Sequence, residues 1–326
     1  MNNVFRYVLK VLRKLNFKVF KIQGPNKPIC ESNPEKVSQI IDAQLTSDKP
    51  CMIARFGAFE LATMVNYLGV KKQKKNVWKF ITGKQEQWWW NKKLLEHMQN
   101  NAGFFPPTEE KMSQFCELMI EDLKEIDVLG SWLAEEHYFL EKIKGNRVRL
   151  LLLEPFWTEI SWMKALENKK VLVVHPFKHT ILSQYKKREL LFQNKTILPS
   201  FKTLHVIKAV QSIGGDSDYN DWFEALEWMK DEIDKYDYDI CLIGAGAYGF
   251  PLAAHVKRKG KKSVHLGGSL QLLFGIKGKR WENESFGEQT FGKKNTYKNL
   301  MNQFWVYPSL DEKPNQAKQV EDACYW

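Results

Sequence analysis

Three glycines spaced as Gly244-x-Gly246-x-x-Gly249 follow a short apolar strand pattern and precede a helical segment. In a turn of this kind the backbone N–H groups and the helix N-terminus can bind an anion, and glycine leaves room for it to approach. The spacing therefore indicates a ligand of the nucleotide type, with Tyr248 beside it. The alternative is a tight strand-to-helix turn that binds no ligand.

The dinucleotide version of this turn is followed, about 20 residues on, by an acidic residue that binds the ribose hydroxyls. Here the next apolar strand ends in His265-Leu-Gly267-Gly268, which contains no carboxylate. NAD is therefore disfavoured. We keep His265, Gly267 and Gly268 as candidate nucleotide-binding residues, because they follow a strand that neighbours the glycine turn in the sequence.

A second group with chemical potential, Arg55-x-Gly57-x-x-Glu60, lies at another strand-to-helix turn. A guanidinium group matches the geometry of a phosphate or a carboxylate, and a glutamate can act as a base or as a metal ligand. We therefore expect Arg55 and Glu60 to be catalytic and Gly57 to contact the nucleotide-type ligand. The alternative is a structural ion pair between the arginine and the glutamate.

Histidine and lysine side chains follow two further strands. His175 ends an apolar strand and is a third catalytic candidate, and Lys178 and Lys187 after it are typical of an edge that faces a diphosphate. Lys277 and Arg280 follow the last strand and offer more positive charge. The alternatives are a histidine satisfied within the core and a basic loop in solvent.

The first 22 residues carry six basic side chains and no acid. On a helical wheel the basic residues fall on one side and seven apolar residues on the other. The apolar residues of this segment are too interrupted to span a bilayer, which takes about 20 apolar residues. An anionic membrane surface is therefore the expected partner of the segment. The alternative is a helix packed on its own domain. The basic residues are Arg6, Lys10, Arg13, Lys14, Lys18 and Lys21, and the apolar ones are Val4, Val8, Val11, Leu12, Leu15, Val19 and Ile22.

Length and composition limit the class of protein. The 326 residues allow one large α/β domain or two small ones, and 44% apolar residues are typical of a folded protein. Five scattered cysteines without metal-type spacing indicate reduced thiols in a cytoplasmic protein. The net charge is +11, but much of the excess sits in the N-terminal segment without a nucleic-acid motif. We expect no nucleic-acid partner.

From residue 127 onward, apolar strands alternate with helical segments, which predicts an α/β fold with a Rossmann-like, mostly parallel sheet and helices on both faces. We expect strands at 51–56, 126–129, 148–153, 170–175, 204–209, 239–243 and 263–266, and helices near 35–46, 58–68, 134–143, 178–191, 219–235 and 248–259. Residues 85–126 are helical in pattern except at 100–107, where two prolines end one helix and Thr108 can cap the next. The predicted units are a membrane-surface helix at 1–24, a main domain at 35–285 with a helical insertion at about 70–126, and a tail at 286–326 packed on that domain.

Several motifs together carry a resemblance: Arg55-Phe-Gly-x-x-Glu60-Leu, Asn101-Ala-Gly-Phe-Phe-Pro106, Val173-Val-His-Pro-Phe177, Gly244-Ala-Gly-Ala-Tyr-Gly249, His265-Leu-Gly-Gly268 and Gly275-Ile-Lys-Gly-Lys-Arg-Trp281. Over roughly residues 50–285 the chain resembles a family of bacterial polysaccharide-locus proteins related to the GT-D-fold glycosyltransferases. The resemblance implies transfer of a sugar from a nucleotide-sugar donor, expected to be UDP-linked, during assembly of a capsule or another cell-surface glycan.

One position departs from the family pattern. GT-D enzymes carry Arg-x-Gly-Asp-x-Glu, whose two carboxylates hold a divalent metal, and this chain has Ala58 in place of the aspartate. Glu60 alone is a poor site for Mg²⁺ or Mn²⁺. Either the metal is held differently, or cationic side chains offset the charge of the leaving diphosphate. The candidates for that second role are Arg55, Lys178, Lys187, Lys277 and Arg280.

The resulting hypothesis is a cytoplasmic glycosyltransferase, peripheral on the inner face of the membrane, that acts on a glycan or lipid-linked acceptor close to that surface. Glu60 is the first candidate for a base or metal ligand, followed by His175 and His265. Two other classes stay open: a nucleotide-sugar oxidoreductase or epimerase, which needs a nicotinamide cofactor, and a non-catalytic nucleotide-binding partner of a polysaccharide machine. The sequence also leaves a homo-oligomer open.

Overall fold

The computed structural model describes residues 2–215, 217–314 and 324–326, and its centre is a sheet of seven strands. The strands are β1 (Cys51–Arg55), β2 (Val128–Ser131), β3 (Asn146–Arg149), β4 (Lys170–His175), β5 (Thr203–Lys208), β6 (Ile240–Ile243) and β7 (Lys262–His265). Their order in the sheet is β3-β2-β1-β7-β6-β4-β5, and every neighbouring pair is parallel. The predicted Rossmann-like parallel sheet is confirmed.

Helices surround this sheet. The α-helices are α1 (Asn3–Val19), α2 (Pro34–Thr46), α3 (Ala58–Lys71), α4 (Val77–Ile81), α5 (Lys92–Ala102), α6 (Glu109–Asp122), α7 (Lys178–Tyr185), α8 (Arg188–Leu191), α9 (Trp222–Asp234), α10 (Gly249–Arg258), α11 (Leu270–Leu273), α12 (Lys279–Glu282) and α13 (Glu288–Phe291). Short 3-10 segments cover Leu123–Glu125, Ala134–Lys142, Leu150–Leu153, Trp162–Leu166, Ile213–Gly215, Gly246–Tyr248, Gly267–Ser269, Lys298–Leu300 and Leu310–Glu312.

Both faces of the central part of the sheet are buried, which explains why β1, β4 and β6 are largely continuous apolar runs rather than alternating patterns. In β4, for example, Leu172 and Val174 join the hydrophobic cluster that contains α3, α5, α6, α9 and α10. Val171 and Val173 join the cluster on the other face, which contains α2, α7, α8 and the tail. We call these the α10 face and the α2 face.

Two predicted elements end earlier than the sequence suggested. The strand expected at 148–153 ends at Arg149, and the leucine run continues as a 3-10 turn, Leu150–Leu153. Leu153 packs against Gly130 of β2, where an added Cβ would lie only 2.4 Å from the Leu153 Cδ1 atom. The leucines thus turn back over the sheet instead of extending it. The helix expected at 178–191 is likewise divided into α7 and α8.

The helical region before β2 also differs in detail from the prediction. Residues 82–91 are not helical, and α5 begins only at Lys92. The helix ends at Gly103, in the left-handed region at φ 76°, rather than at the two prolines further on. Glycine adopts this conformation without a Cβ penalty. Thr108 caps α6 as predicted, since its side chain accepts a hydrogen bond from the Lys111 N–H.

Helix α1 packs on α4 with a face that is not its apolar face. Leu9 is the residue it buries, and Arg13 donates to the Gln85 carbonyl at 2.9 Å while its guanidinium lies 4.7 Å from the Phe80 ring centre. The predicted apolar face stays exposed to solvent, at Val4, Val8, Val11, Leu12, Leu15 and Val19. None of the helices in the described parts of the chain is long and apolar enough to cross a bilayer.

Residues of the tail pack on the α2 face. Tyr297 and Trp305 are buried there. Glu312, 1% exposed, accepts hydrogen bonds from the backbone N–H groups of His179 at 2.6 Å and of Thr180 at 3.3 Å. A carboxylate of the tail therefore caps the N-terminus of α7, a position that favours negative charge.

Candidate active site

A cavity of about 220 Å³ opens at the carboxyl ends of the strands, and we call it the strand-end cavity. It lies where the chain, having filled the two outer parts of the sheet, returns to place β6 and β7 between β4 and β1. Ligands of open α/β sheets bind at such switch points. Most of the predicted site residues line it: Arg55, Gly57, Glu60, His175, Gly244, Gly246, Tyr248, His265, Gly267, Gly268 and Arg280.

The three glycines of the 244–249 turn are required for two different reasons. A Cβ on Gly244 would lie 2.6 Å from the Gly267 carbonyl oxygen and 2.7 Å from the His175 ring. Gly246 has a positive φ of 53°, which side chains rarely adopt. A Cβ on Gly249 would lie 2.1 Å from the His265 ring, and Gly249 does not line the cavity. Close packing within the protein therefore accounts for the first and third glycines, where the sequence alone suggested room for an anion.

Tyr248 is a buried anchor of this turn. Its ring stacks on Trp222 at 4.9 Å, and its hydroxyl lies 2.6 Å from the Ser212 hydroxyl, which in turn donates to the Gly103 carbonyl. These contacts join the glycine turn to the end of α5 and to the loop after β5. Although Tyr248 lines the cavity, its hydroxyl already has a protein partner.

The positive charge of the cavity comes from Arg55 and Arg280. Burial lowers the pKa of the Arg55 guanidinium, Glu60 opposes that shift, and Arg280 adds to it, so the two cations act on each other. Despite this shift, arginine stays protonated near neutral pH because its usual pKa is above 12. The Arg55 guanidinium also lies 5.5 Å from the Trp132 ring centre, which holds it over an aromatic face.

Glu60 lies in the first turn of α3 and folds back over its N-terminus. A Cβ on Gly57 would lie 1.7 Å from Glu60 Oε2, so the carboxylate would have to move if this glycine were replaced. Burial raises the pKa of Glu60 above its usual value, while the Arg55 charge and the residue's own backbone N–H lower it. The side chain thus acts partly as a helix cap, and it is less free to reach a substrate than the spacing suggested.

The residues that the structure describes do not fit a bound metal ion. Within the described ranges, no three His, Cys, Asp or Glu side chains lie close enough together to hold one. Of the cavity-lining residues in those ranges, Glu60 alone has a carboxylate. Mg²⁺ and Mn²⁺ prefer several oxygen ligands, and a single carboxylate supplies too few.

The two histidines are neutral and present opposite hydrogen-bonding groups. His175 Nδ1 accepts from the Phe177 N–H at 3.1 Å, which places the ring proton on Nε2. His265 Nδ1 lies 3.3 Å from the Ile243 carbonyl, which can only accept, so Nε2 of that ring is an acceptor. Burial lowers the pKa of each to about 3, and the Arg55 charge contributes for His265. Near neutral pH they orient a ligand better than they transfer protons.

Three predicted basic residues lie outside the cavity lining: Lys178, Lys187 and Lys277. Lys187 is exposed, and the Lys277 ammonium lies 5.7 Å from the Tyr307 ring centre.

The structure also adds residues that the motifs did not single out. Trp132 follows β2, and residues 210–213 follow β5. Both could have been found by applying the strand-end rule to every predicted strand. Gln271, Tyr325 and Trp326 also line the cavity, and no local signal in the sequence places them there.

The fold and the cavity define a Rossmann-like α/β protein with a cationic, glycine-lined cavity at the switch point of its sheet. Residues 32–273 match a family model described as a GT-D fold-like domain, which covers well over half of the chain, and the chain belongs to this family. Membership indicates a function of the glycosyltransferase type. Among curated proteins, none matches the chain. A solved structure titled "Selenomethionine substituted structure of domain of unknown function 1792 (DUF1792)" is similar at 10% identity with a TM-score of 0.36, covering 95% of this chain and 97% of that one.

Proposed function

We propose that the protein transfers a sugar from a nucleotide-sugar donor, UDP-linked in our hypothesis, to a glycan or lipid-linked acceptor in surface polysaccharide synthesis. The observation that carries this proposal is the convergence of Arg55 and Arg280 with two glycine turns, 244–246 and 267–268, on one cavity. Guanidinium groups and exposed backbone are the groups that bind a diphosphate.

The chemistry follows from the charges of the cavity. When the glycosidic bond to the diphosphate breaks, negative charge develops on the leaving phosphate oxygen. Fixed cations in a partly desolvated site stabilise that charge without reorganising. Arg55 is held by Trp132 and is therefore suited to this role, whereas His175 and His265 are neutral. His175 Nε2–H can donate to the ligand and His265 Nε2 can accept from a hydroxyl.

Nucleoside diphosphate binding tests this proposal directly. We expect isothermal titration with UDP to show that Arg55→Met weakens binding by about tenfold or more, since a hydrogen bond to a charged group contributes roughly 1.5–3 kcal/mol. Lys277→Met is the matched control, because Lys277 was an equal candidate in the sequence but does not line the cavity. Its affinity should equal that of the wild type.

Three outcomes would contradict the proposal in different ways. If no nucleoside diphosphate binds, the donor site is wrong. If diphosphates bind but no nucleotide sugar is hydrolysed or transferred, the protein is a non-catalytic nucleotide-binding partner. If the purified protein carries nicotinamide absorbance, it is an oxidoreductase or epimerase.

We further propose that α1 attaches the protein to an anionic membrane surface, where a lipid-linked acceptor would lie. The six exposed apolar residues of its outer face form a stripe, and Lys10, Lys14, Lys18 and Lys21 are exposed beside it. Trp78, 69% exposed, lies on α4 next to this helix, and tryptophan is typical of membrane interfaces. Arg13 was predicted to face the membrane, but it binds the domain instead.

Vesicle co-sedimentation tests the membrane surface. Full-length protein should bind vesicles rich in phosphatidylglycerol at low salt and lose binding as salt rises, at roughly 1 kcal/mol per lysine near the surface. The double variant Leu12→Glu, Leu15→Glu should weaken binding by 10²-fold or more, because each buried leucine contributes about 1.5 kcal/mol or more. Leu310→Glu, at a leucine 90% exposed in the tail, is the control. Failure of the wild type to bind at low salt would refute this attachment.

A further inference from the structure

The side chain of Tyr325 covers the second glycine turn of the strand-end cavity. Its ring lies so close to Gly268 that an added Cβ would be 2.2 Å from Tyr325 Cε1. Its hydroxyl accepts a hydrogen bond from Arg280 Nη1 at 3.1 Å, and the ring centre lies 4.8 Å from the Arg280 Cζ atom. Tyr325 therefore engages two of the groups that the proposed diphosphate would need.

Trp326 fills the neighbouring part of the cavity without satisfying its own polar group. The side chain is 7% exposed and packs edge-on against Phe177, with ring centres 6.1 Å apart. Its indole Nε1–H is buried and has no hydrogen-bond acceptor. A buried donor without a partner destabilises the conformation that buries it, and this cost is recovered when the group moves into water or meets an acceptor. This conformation is therefore less stable than its packing suggests.

Hydrogen bonds tie the backbone of this segment to the domain. The Arg280 N–H donates to the Cys324 carbonyl at 3.1 Å, and Gln271 Nε2 donates to the Tyr325 carbonyl at 3.1 Å. Each contributes little net stability, because water replaces it when the segment leaves. A ligand that binds at micromolar Kd can offset the loss of these two hydrogen bonds, which allows it to compete with the segment.

The size of the cavity supports displacement. With Tyr325 and Trp326 in place its volume is about 220 Å³, below the roughly 300–1,000 Å³ of typical ligand pockets. A nucleotide sugar needs a pocket within that larger range. Withdrawal of two large aromatic side chains would enlarge the site where Arg280 and Gly268 lie.

We propose that residues 324–326 form a displaceable plug, which competes with the diphosphate of the donor for Arg280 and for the turn at Gly267 and Gly268. The plug closes the site when no donor is bound, and donor binding expels it. This inference rests on the proposed function, because the competitor is the nucleotide donor.

Cys324 provides a site-specific probe in the unmodified protein. It is 6% exposed next to Tyr325, so an alkylating reagent reaches its thiol only when the plug leaves. We expect saturating UDP to raise the rate of iodoacetamide labelling at Cys324 by about tenfold or more, measured by peptide mass spectrometry. Cys241, fully buried in β6, and Cys30, partly exposed, are internal controls whose rates should not change. An unchanged or slower rate at Cys324 would overturn the plug.

Affinity gives a second and independent readout. The double variant Tyr325→Ala, Trp326→Ala should bind UDP at least fivefold more tightly than the wild type, since no segment remains to be displaced. Tyr307→Ala is the control, because Tyr307 is a tail tyrosine whose hydroxyl binds Glu282 and which does not line the cavity. Equal affinity would overturn the plug, and weaker affinity would show that the two aromatic rings are a fixed wall of the donor site.

The two proposals can fail separately. If UDP binds neither the wild type nor the double variant, the proposed function is wrong. The plug hypothesis is then tested only by the rate of Cys324 labelling in the absence of a ligand. Labelling of Cys324 at least tenfold faster than that of Cys241 would support a displaceable segment, and equal rates would overturn it.

Discussion

Gly249→Ala should destabilise the protein, although alanine is the better helix former. Gly249 has φ −59° and ψ −39°, which every L-residue adopts, so helix propensity alone favours alanine by about 1 kcal/mol. The added Cβ would, however, lie 2.1 Å from His265 Cε1 and 2.4 Å from its Nδ1. The ring is also held by its contact with the Ile243 carbonyl. Overpacking of this kind costs roughly 1–3 kcal/mol, so we expect a net loss of about 1–2 kcal/mol.

A double-mutant cycle isolates the contact. In a His265→Ala background the ring is absent, so Gly249→Ala should be neutral or stabilising by up to about 1 kcal/mol, giving a coupling energy of about 2 kcal/mol. Urea denaturation followed by far-UV circular dichroism measures each free energy of unfolding. Gly24→Ala, at a glycine with no atom within 4 Å of its added Cβ, should have the same effect in both backgrounds. The same loss from Gly249→Ala with and without the ring would refute the reasoning.

Two further predictions concern charge. Among the described residues that line the cavity, one has a carboxylate side chain and two have guanidinium groups. EDTA should therefore lower sugar transfer by less than about tenfold, or about 1.4 kcal/mol, and Arg55→Met should lower it by about 10²-fold or more. Complete loss on chelation with recovery on adding Mn²⁺ would contradict this. The second prediction concerns Glu154, whose carboxyl oxygen accepts a hydrogen bond from the Tyr297 hydroxyl at 2.6 Å. Burial raises the pKa of Glu154 to about 8, compared with a pKa of 4.5 for an exposed glutamate. The folded protein keeps a proton that the unfolded chain releases, so this group lowers stability as pH rises from about 4.5 to about 8, by on the order of 2–4 kcal/mol in total. Glu154→Gln should flatten the Tm–pH profile between about pH 4.5 and about pH 8. Parallel profiles for the variant and the wild type would exclude this role of Glu154.

The sequence alone predicted the elements of the fold because local patterns determine them. Apolar runs bounded by helical segments marked six of the seven strands, and the run expected at 148–153 shares only residues 148–149 with β3. The continuous apolar character of β4 and β6 indicated a sheet covered on both faces. Thr108 was identified as a cap from its place before the helix. The errors occurred where a long-range contact determined an element's end, as at Leu153, which turns back to pack on Gly130.

The sequence also predicted much of the site, because the carboxyl ends of parallel strands meet at one edge of a sheet. Arg55, His175 and the 244–246 turn line one cavity for this reason. The sequence could not distinguish Arg280 from Lys277, because the two residues lie three positions apart in one basic run. The direction of each side chain there depends on what the short turn before α12 packs against.

Only the tertiary structure decided which surfaces meet across long stretches of chain. The periodicity of α1 identified its apolar stripe but not that Leu9 and Arg13 would bind the domain and leave the stripe exposed. Tyr325 and Trp326 reach the strand-end cavity through contacts with Gly268 and Phe177, which precede them by tens to more than a hundred residues. Such contacts depend on shape and on hydrogen-bonding groups presented by other elements. No periodicity or spacing within a segment encodes them, so they are fixed only when the sheet has formed and its strand ends lie side by side.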